Sequence, residues 1–455
     1  MNPEFQRNLW LELTPRRMIL MAVVLGLCFF AAAVTDGPAS GPGETARWLY
    51  YLIVVVWGSR NAAMSVVGEI RERTWDGQRL SSLGANTMVW GKLFGSTLYN
   101  WFGGAICLAV ILTDLLGHRG VFVALIELVY YLAIGVIAQA ASLLASLIAA
   151  GRRQGLWRLE VFLYQAVGLA AAVAVYLIWS MADPAGSILE HVAPTDFIVW
   201  WGWNLDARGF LLLSLAVFTG WTLVGCIQQM RLELKMRNTA YIWLGFLVFI
   251  GIYVAGFDAW LSANQSLTHL DAVARRLLLA GTTFGALAYL MVFLEPKDRV
   301  HYRWLGSALA KFRLGRVGGG LQGWMTAYLA ALGVGIALFF WLGTMMLAAD
   351  QAAIGAMLGF LTRDLAIVVL VNAIAKRRSG DFAAIAILFA LYALLPAIVS
   401  GMKFDSAAVF FFPRSSDPVW LSPAVAWGEA VLAVVLAIGR LALPENENKV
   451  AAAAR

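Results

Sequence analysis

Charge is what this sequence has least of. Asp, Glu, Lys and Arg make up 13% of its 455 residues, about half the share usual in a soluble domain, while 61% are hydrophobic. A chain so composed needs lipid as its main solvent. Histidine is nearly as scarce: His118, His191, His269 and His301 lie in four separate connecting segments, so no histidine-centred catalytic or metal cluster is legible. His191 and Asp196 have a His-x4-Asp spacing but no accompanying glycine-rich motif, which gives no case for acyl transfer. Cys28, Cys107 and Cys226 each fall within an apolar run, where an isolated cysteine is a small packing residue, and neither a disulfide framework nor a metal site follows. A phosphate-binding loop is also missing. The nearest string, Gly84 to Lys92, has the wrong spacing between its glycine and its Gly-Lys pair, and Gly318 to Gly320 has no preceding strand and no following Lys-Ser. The latter reads as a flexible lead into the next apolar run.

What the sequence does have is apolar runs long enough to cross a bilayer, which needs roughly 20 helical residues each. They predict an all-α polytopic membrane protein of about twelve spans: 18–34, 47–67, 92–114, 120–150, 160–182, 209–227, 240–261, 275–294, 323–348, 352–374, 382–402 and 423–443. The first run follows Arg7, Arg16 and Arg17 as a signal peptide would, but without a cleavage pattern and with so many later spans it reads as a retained span. With the N-terminus inside, about 24 Lys and Arg lie in inner segments against roughly 7 outside, which puts both termini in the cytoplasm. That one-sided bias accounts for the net charge of +7 without nucleic acid as a partner.

The loops repeat. A modest outer loop (35–46), a long inner loop (68–91), a tight turn near Gly117, the basic Arg152-Arg153 and a long outer loop (183–208) are followed in the same order by 262–274, 295–322, a turn near Asp350, Lys376-Arg377-Arg378 and 403–422. Glu69 with Glu295, Arg73 with Arg299, Ser81 with Ser307 and Leu83 with Leu309 share one offset. An even number of spans per copy makes the copies parallel, a pseudo-twofold pair of six-helix repeats in one chain.

The loop from Gly68 to Gly95 is the most informative segment. If it is helical, Glu69 and Arg73 pair on one face, while Leu80 and Leu83 form an apolar stripe beside Trp75. One reading lays it on the headgroups, with Arg71, Arg73, Arg79 and Lys92 on phosphates and Trp75 and Trp90 as interface anchors. The other gives it a protein partner. Its acidic and basic residues, Thr74 with Trp75-Asp76, the leucine pair Leu80 and Leu83, and Gly91-Lys92 opening the next span resemble the coupling loop of ABC-type-2 permeases. Arg73-Thr74 stands where that family commonly has Gly-Thr, and Leu83-Gly84-Ala85 where a proline turn is commoner. Asn2-Pro3, with Phe5, Leu9, Trp10 and Leu13 interleaved with Arg7, Glu12 and Arg16, resembles the family's amphipathic elbow helix. The outer loop 183–208, with Pro194, Trp200, Trp201 and Trp203, resembles its short re-entrant helices, and an ordinary tryptophan belt explains that loop equally well.

The resemblance implies an elbow helix (1–17), a first repeat (18–228) with coupling loop 68–91, a second repeat (229–443) with a degenerate coupling loop 295–322, and a cytoplasmic tail (444–455). It implies a multi-pass protein of the cell membrane, of the bacterial inner-membrane kind, acting as an exporter. Separate soluble ATPases would carry the ATP and Mg; this chain would hold no cofactor and no metal and catalyse nothing. The coupling residues it points to are Glu69, Arg73, Thr74, Trp75, Asp76, Arg79, Leu80, Leu83, Gly91 and Lys92, with Glu295 and Arg299 in the second copy. An ion-coupled twelve-span carrier shares the span count and the symmetry, and an integral-membrane lipid or glycan enzyme remains a third reading. No motif encodes the transported molecule. Ionisable residues within the apolar runs, namely Arg60, Glu127, Asp258, Arg363, Asp364 and Glu429, are candidates for gating or for lining a pathway. As neighbours on one helix, Arg363 and Asp364 are expected to face away from each other and to pair with other spans.

Overall fold

The computed structural model describes residues 2–35, 37, 41–80, 83–150, 157–182, 197–236, 240–262, 267–375, 380–401, 410–413 and 418–442. Arg152, Arg153, Lys376 to Arg378, Ser81, His191, Pro194 and Asp196 lie outside the described residues. Apart from one two-stranded hairpin, the described secondary structure is helical. Eleven helices are long and apolar enough to cross a membrane, which makes this an all-α polytopic membrane protein.

The chain divides into two compact units, one of Met1–Ile198 with Asn204–Asn238 and one of Val199–Trp203 with Thr239–Arg455. The first contains the long helices Pro15–Thr35, Gly41–Arg71, Leu98–His118, Val121–Ala150, Val161–Ser180 and Ala207–Glu233. The second contains Ala272–Leu294, Gly323–Thr344, Ala348–Ile374, Gly380–Val399 and Leu421–Ala442.

The expected span 240–261 is shorter than predicted. Its helix, Ala240–Ala255, ends after 16 residues, and a separate small helix, Asp258–Ser262, follows. Tryptophans take the carbonyls that end it: Trp200 Nε1 donates to Tyr253 O (3.0 Å), Trp201 Nε1 to Ile252 O (3.2 Å) and Trp201 N to Gly256 O (2.8 Å). Asp258, counted among the charges within the membrane, therefore opens the small helix, where Arg276 Nε donates to it at 3.2 Å.

Those tryptophans belong to the hairpin Phe197–Trp200 and Trp203–Asp206. It corrects the expectation of re-entrant helices for the described part of that loop. Trp201 (φ 53°) and Gly202 (φ 78°) both take left-handed backbone, the pattern of a two-residue hairpin turn, which a helix cannot absorb. Asp206 then caps Ala207–Glu233 by accepting from Gly209 N at 2.7 Å.

Glycines let the helices of the first unit approach closely. A side chain at Gly104 would strike Val54, and one at Gly135 would meet Val54, Trp101 and the Tyr50 hydroxyl. The helix Gly41–Arg71 carries a π-helical stretch, Tyr51–Trp57, which loosens its regular hydrogen bonding. Side chains of neighbouring helices reach the carbonyls there: Asn100 donates to Ile53 O (2.9 Å), Gln139 to Val54 O (3.0 Å) and Gln165 to Val56 O (2.9 Å). In the second unit Ala348–Ile374 and Leu421–Ala442 pack through Gly355 and Gly359, with Trp427 Nε1 donating to Gly355 O at 3.0 Å and Ala426 against Gly359.

Candidate functional site

The site is assembled at the end of the first unit where Gly41–Arg71 stops. Glu72 N donates to Gly68 O, Arg73 N to Ile70 O and Thr74 N to Glu69 O, the nested bonds of a left-handed helix stop, with Arg73 at φ 60°. The expected Glu69–Arg73 pair therefore does not form. Arg73 lies beyond the last turn and points to solvent, so the four-residue spacing no longer means one helix face. The conformation at Arg73 is one that glycine adopts without strain, at a cost to arginine of about 1 kcal/mol.

Glu69 instead anchors a buried polar cluster. Its carboxylate takes a short hydrogen bond from Lys92 Nζ, accepts from Gln78 Nε2 at 2.5 Å and lies 3.6 Å from Arg7. Lys92 is 1% exposed, with Glu4 at 3.8 Å and the Trp75 ring at 5.3 Å. Glu4 pairs with Arg7 at 3.1 Å. An ammonium so buried is tolerable only with carboxylates around it, and two supply the charge. Lys92 and Trp75 are thus interior residues, which overturns the reading that put them on lipid phosphates and at the interface.

The N-terminal helix Pro3–Glu12 brings Glu4 and Arg7 to this place. Asn2 caps it, accepting from Glu4 N and Phe5 N, and donates to Thr87 O at 2.7 Å. Asn8 Nδ2 donates to Gly91 O at 3.3 Å. The helix fits because Gly91 and Gly95 have no side chains: a Cβ at Gly91 would lie 2.6 Å from Glu4, and one at Gly95 2.6 Å from Asn8. The Gly-Lys pair therefore has two jobs here, a seat for the N-terminal helix and a cation for the cluster.

On this base sits a five-residue helix, Trp75–Arg79. Trp75 is buried in an apolar cluster with Val66, Met88, Leu93, Cys226 and Met230, and Leu83 packs against it. Arg79 donates to Glu233, the end of Ala207–Glu233, at 2.6 Å, and lies 3.4 Å from Asp76. The leucine stripe is split, since Leu80 is 90% exposed while Leu83 is half-buried. Asp76, Thr74, Arg73, Glu72 and Arg71 are exposed beside it. The arrangement presents one bare leucine and a ring of charges on a rigid mount.

In the second unit Glu295 follows Ala272–Leu294 directly and caps Gly323–Thr344, accepting from Gly323 N (2.9 Å) and Trp324 N (3.3 Å). Burial pushes its carboxyl up, partly offset by those two N–H groups. Arg299 opens the helix Arg299–Ala310, which Asp298 caps. The run Gly318 to Gly320 belongs to a short helix, Leu314–Gly320, with the Trp304 ring seated against Gly320. It is not the flexible lead expected, because Trp304 and the bond between His301 Nε2 and Gly320 O (2.8 Å) hold it.

Among the intramembrane candidates, Arg363, Asp364 and Glu429 meet. Arg363 Nε donates to Asp364 Oδ1 at 2.9 Å and Nη1 to Glu429 Oε2 at 2.7 Å. The expectation that Arg363 and Asp364 turn away from each other fails because the long arginine folds back beside its neighbour. Asp364 also accepts from Tyr289 (2.6 Å) and Tyr392 (2.5 Å), which ties two further helices to Ala348–Ile374. Glu127 and Arg60 belong to the first unit. Glu127 is buried near Tyr51, Tyr130 and Tyr131, and Arg60 is exposed, with no hydrogen bond or ion pair among the described residues. Sequence reasoning missed Glu4, Gln78 and Glu233, polar residues at helix ends whose partners are up to 154 positions away. No family model, curated protein or solved structure matches this chain.

Proposed function

We propose that this protein is the membrane-spanning subunit of an ABC-type-2 transporter, an exporter of the cell membrane driven by soluble ATPases that dock on its cytoplasmic face. The observation that carries the reading is the mount of Leu80. A short helix is held by Trp75 beneath it, Arg79–Glu233 on one side and Lys92–Glu69 on the other, with its one exposed leucine aimed outward. A bare leucine on a braced helix, ringed by charges, has the form of an anchor for a pocket on a partner surface. Push on this helix would pass through Glu69 and Lys92 into Gly41–Arg71 and the helical run Ala85–Trp90 that continues into Gly91–Gly95. ATP and Mg would be bound by the partner, and this chain would carry force alone. Both termini would lie in the cytoplasm, and the two units would descend from one six-helix repeat; Glu69 and Glu295, each bracing the start of the next long helix, support that.

The test is purification of the tagged native protein in mild detergent, with assay of the eluate for ATP hydrolysis and for a co-purifying soluble subunit. Leu80→Asp should lower that association at least tenfold while the protein still inserts, because burying an unpaired charge in an interface is strongly unfavourable. Association unchanged by Leu80→Asp would defeat the proposal.

A second reading, an ion-coupled carrier, is favoured by one feature: Arg363, Asp364 and Glu429 with two tyrosines midway along membrane-spanning helices, where ionisable groups mark ion or proton pathways. Transport that persists without any ATPase would decide for it.

A further inference from the structure

The segment 295–322 offers a surface of a different kind from the Leu80 mount. From Arg299 to Ala349 the chain has no Asp or Glu, while Arg299, Arg303, Lys311, Arg313 and Arg316 all fall within its first part. The loop 68–91, by contrast, mixes Glu69, Glu72 and Asp76 with Arg71, Arg73 and Arg79, and pairs several of them. The helices Arg299–Ala310 and Leu314–Gly320 close on their own small apolar seam of Leu305, Ala308 and Val317. Arg303 Nε donates to Leu441 O at 2.7 Å, which fastens this pair of helices at the end of the long helix Leu421–Ala442. Away from that seam the first helix exposes Val300 and Arg303, and Leu309 is exposed near its C-terminal end. At the turn between the helices Phe312 is 86% exposed, held out by left-handed backbone (φ 49°) and flanked by exposed Lys311 and Arg313.

We infer that this helix pair is an anionic-lipid site: Phe312 and Val300 enter the headgroup layer while Lys311 and Arg313 bind lipid phosphates. An exposed aromatic side chain between two exposed cationic ones, close to the end of a membrane-spanning helix, matches a negatively charged bilayer surface in charge and in apolar character. After Asp298, which caps Arg299–Ala310, the segment has no acidic group, so the charge it presents beyond that cap is of one sign, as a negatively charged bilayer surface requires. The site holds this unit to its leaflet, and it stands whether or not an ATPase docks at Leu80.

The test uses the full-length chain, with Cys28→Ser to remove the more accessible cysteine, in nanodiscs of phosphatidylcholine alone or mixed with phosphatidylglycerol. An environment-sensitive fluorophore is placed at Phe312→Cys, and at Leu309→Cys as a second reporter, and is read by quenching from headgroup-level spin-labelled lipid. Quenching should appear as the phosphatidylglycerol fraction rises. Lys311→Gln and Arg313→Gln should each weaken that response about fivefold, and added salt should weaken it further. A probe at Leu80→Cys should stay unquenched in both discs. Quenching equal in the two lipids and indifferent to the charge variants overturns the proposal, as do reporters that stay in water in both discs or are shielded only when a soluble protein is added.

Discussion

Glu69 and Glu295 perform one mechanical task with different chemistry. Each sits where a long helix ends, and each braces the segment that opens a later one. Glu69 does so through a buried ammonium, Lys92, which draws the N-terminal helix into the joint through Glu4 and Arg7. Glu295 does so through bare backbone N–H groups of Gly323 and Trp324, and Trp243 Nε1 adds a bond to Gly323 O at 3.1 Å. A charge pair sealed from water is stiff and unforgiving of loss, because each ion depends on the other. A carboxylate on a helix N-terminus is a milder arrangement that tolerates a neutral acceptor. The difference teaches where rigidity is concentrated, at the joint that carries Leu80.

Four substitutions break or sharpen this comparison. Lys92→Met should have the largest effect: it leaves Glu69 and Glu4 facing each other without a cation, a loss of roughly 3 to 5 kcal/mol, with Glu69→Gln in the same chain restoring part of it. Thermal unfolding of the detergent-solubilised protein measures both. Gly91→Val comes next. Its side chain meets Glu4, so the N-terminal helix should lift off, read as faster cysteine modification at Asn8→Cys, with a loss of about 1 to 3 kcal/mol. Glu295→Gln should be smaller, about 1 kcal/mol, since the amide oxygen still accepts from Gly323.

Its pH signature separates the two joints. The folded Glu295 carboxyl holds its proton to higher pH than it would unfolded, so stability falls as pH rises from the ordinary carboxylate range through the raised value and is flat above it. Glu295→Gln should abolish that slope. Arg73→Gly should have the smallest effect, a gain of about 1 kcal/mol or less, because glycine takes the left-handed stop without strain but loses more chain entropy. A loss there would mean that Arg73 makes a contact beyond its backbone role.

Much of the first joint was legible as parts. Gly91-Lys92, Glu69, Trp75 and the capped Asn2-Pro3 start all stand out, because charges are rare in so apolar a chain. How they combine was not. Glu69 and Arg73 have pairing spacing, but the helix stops between them; a one-residue change to left-handed backbone cancels the periodicity on which the expectation rests. The tryptophans of 200 to 203 read as a belt or as helices, whereas two positive φ values make a hairpin that ends Ala240–Ala255. Arg363 and Asp364 look back to back on a helical wheel, which places Cβ atoms and says nothing of where a four-bond side chain can fold.

The sequence by itself determined that this protein lives in lipid, that it is helical, and nearly where each long helix lies. Roughly 20 apolar residues in a row can satisfy their backbone in a bilayer only as helix, and that rule needs no knowledge of neighbours. The tertiary structure alone decided which of the few charges meet. Burying an ion demands a partner at hydrogen-bond distance, and for Lys92 that partner is 23 residues away in one direction and for Arg79 154 in the other. Such pairings are set by how helices pack, through Gly91, Gly95 and Gly104, and local spacing carries no record of them.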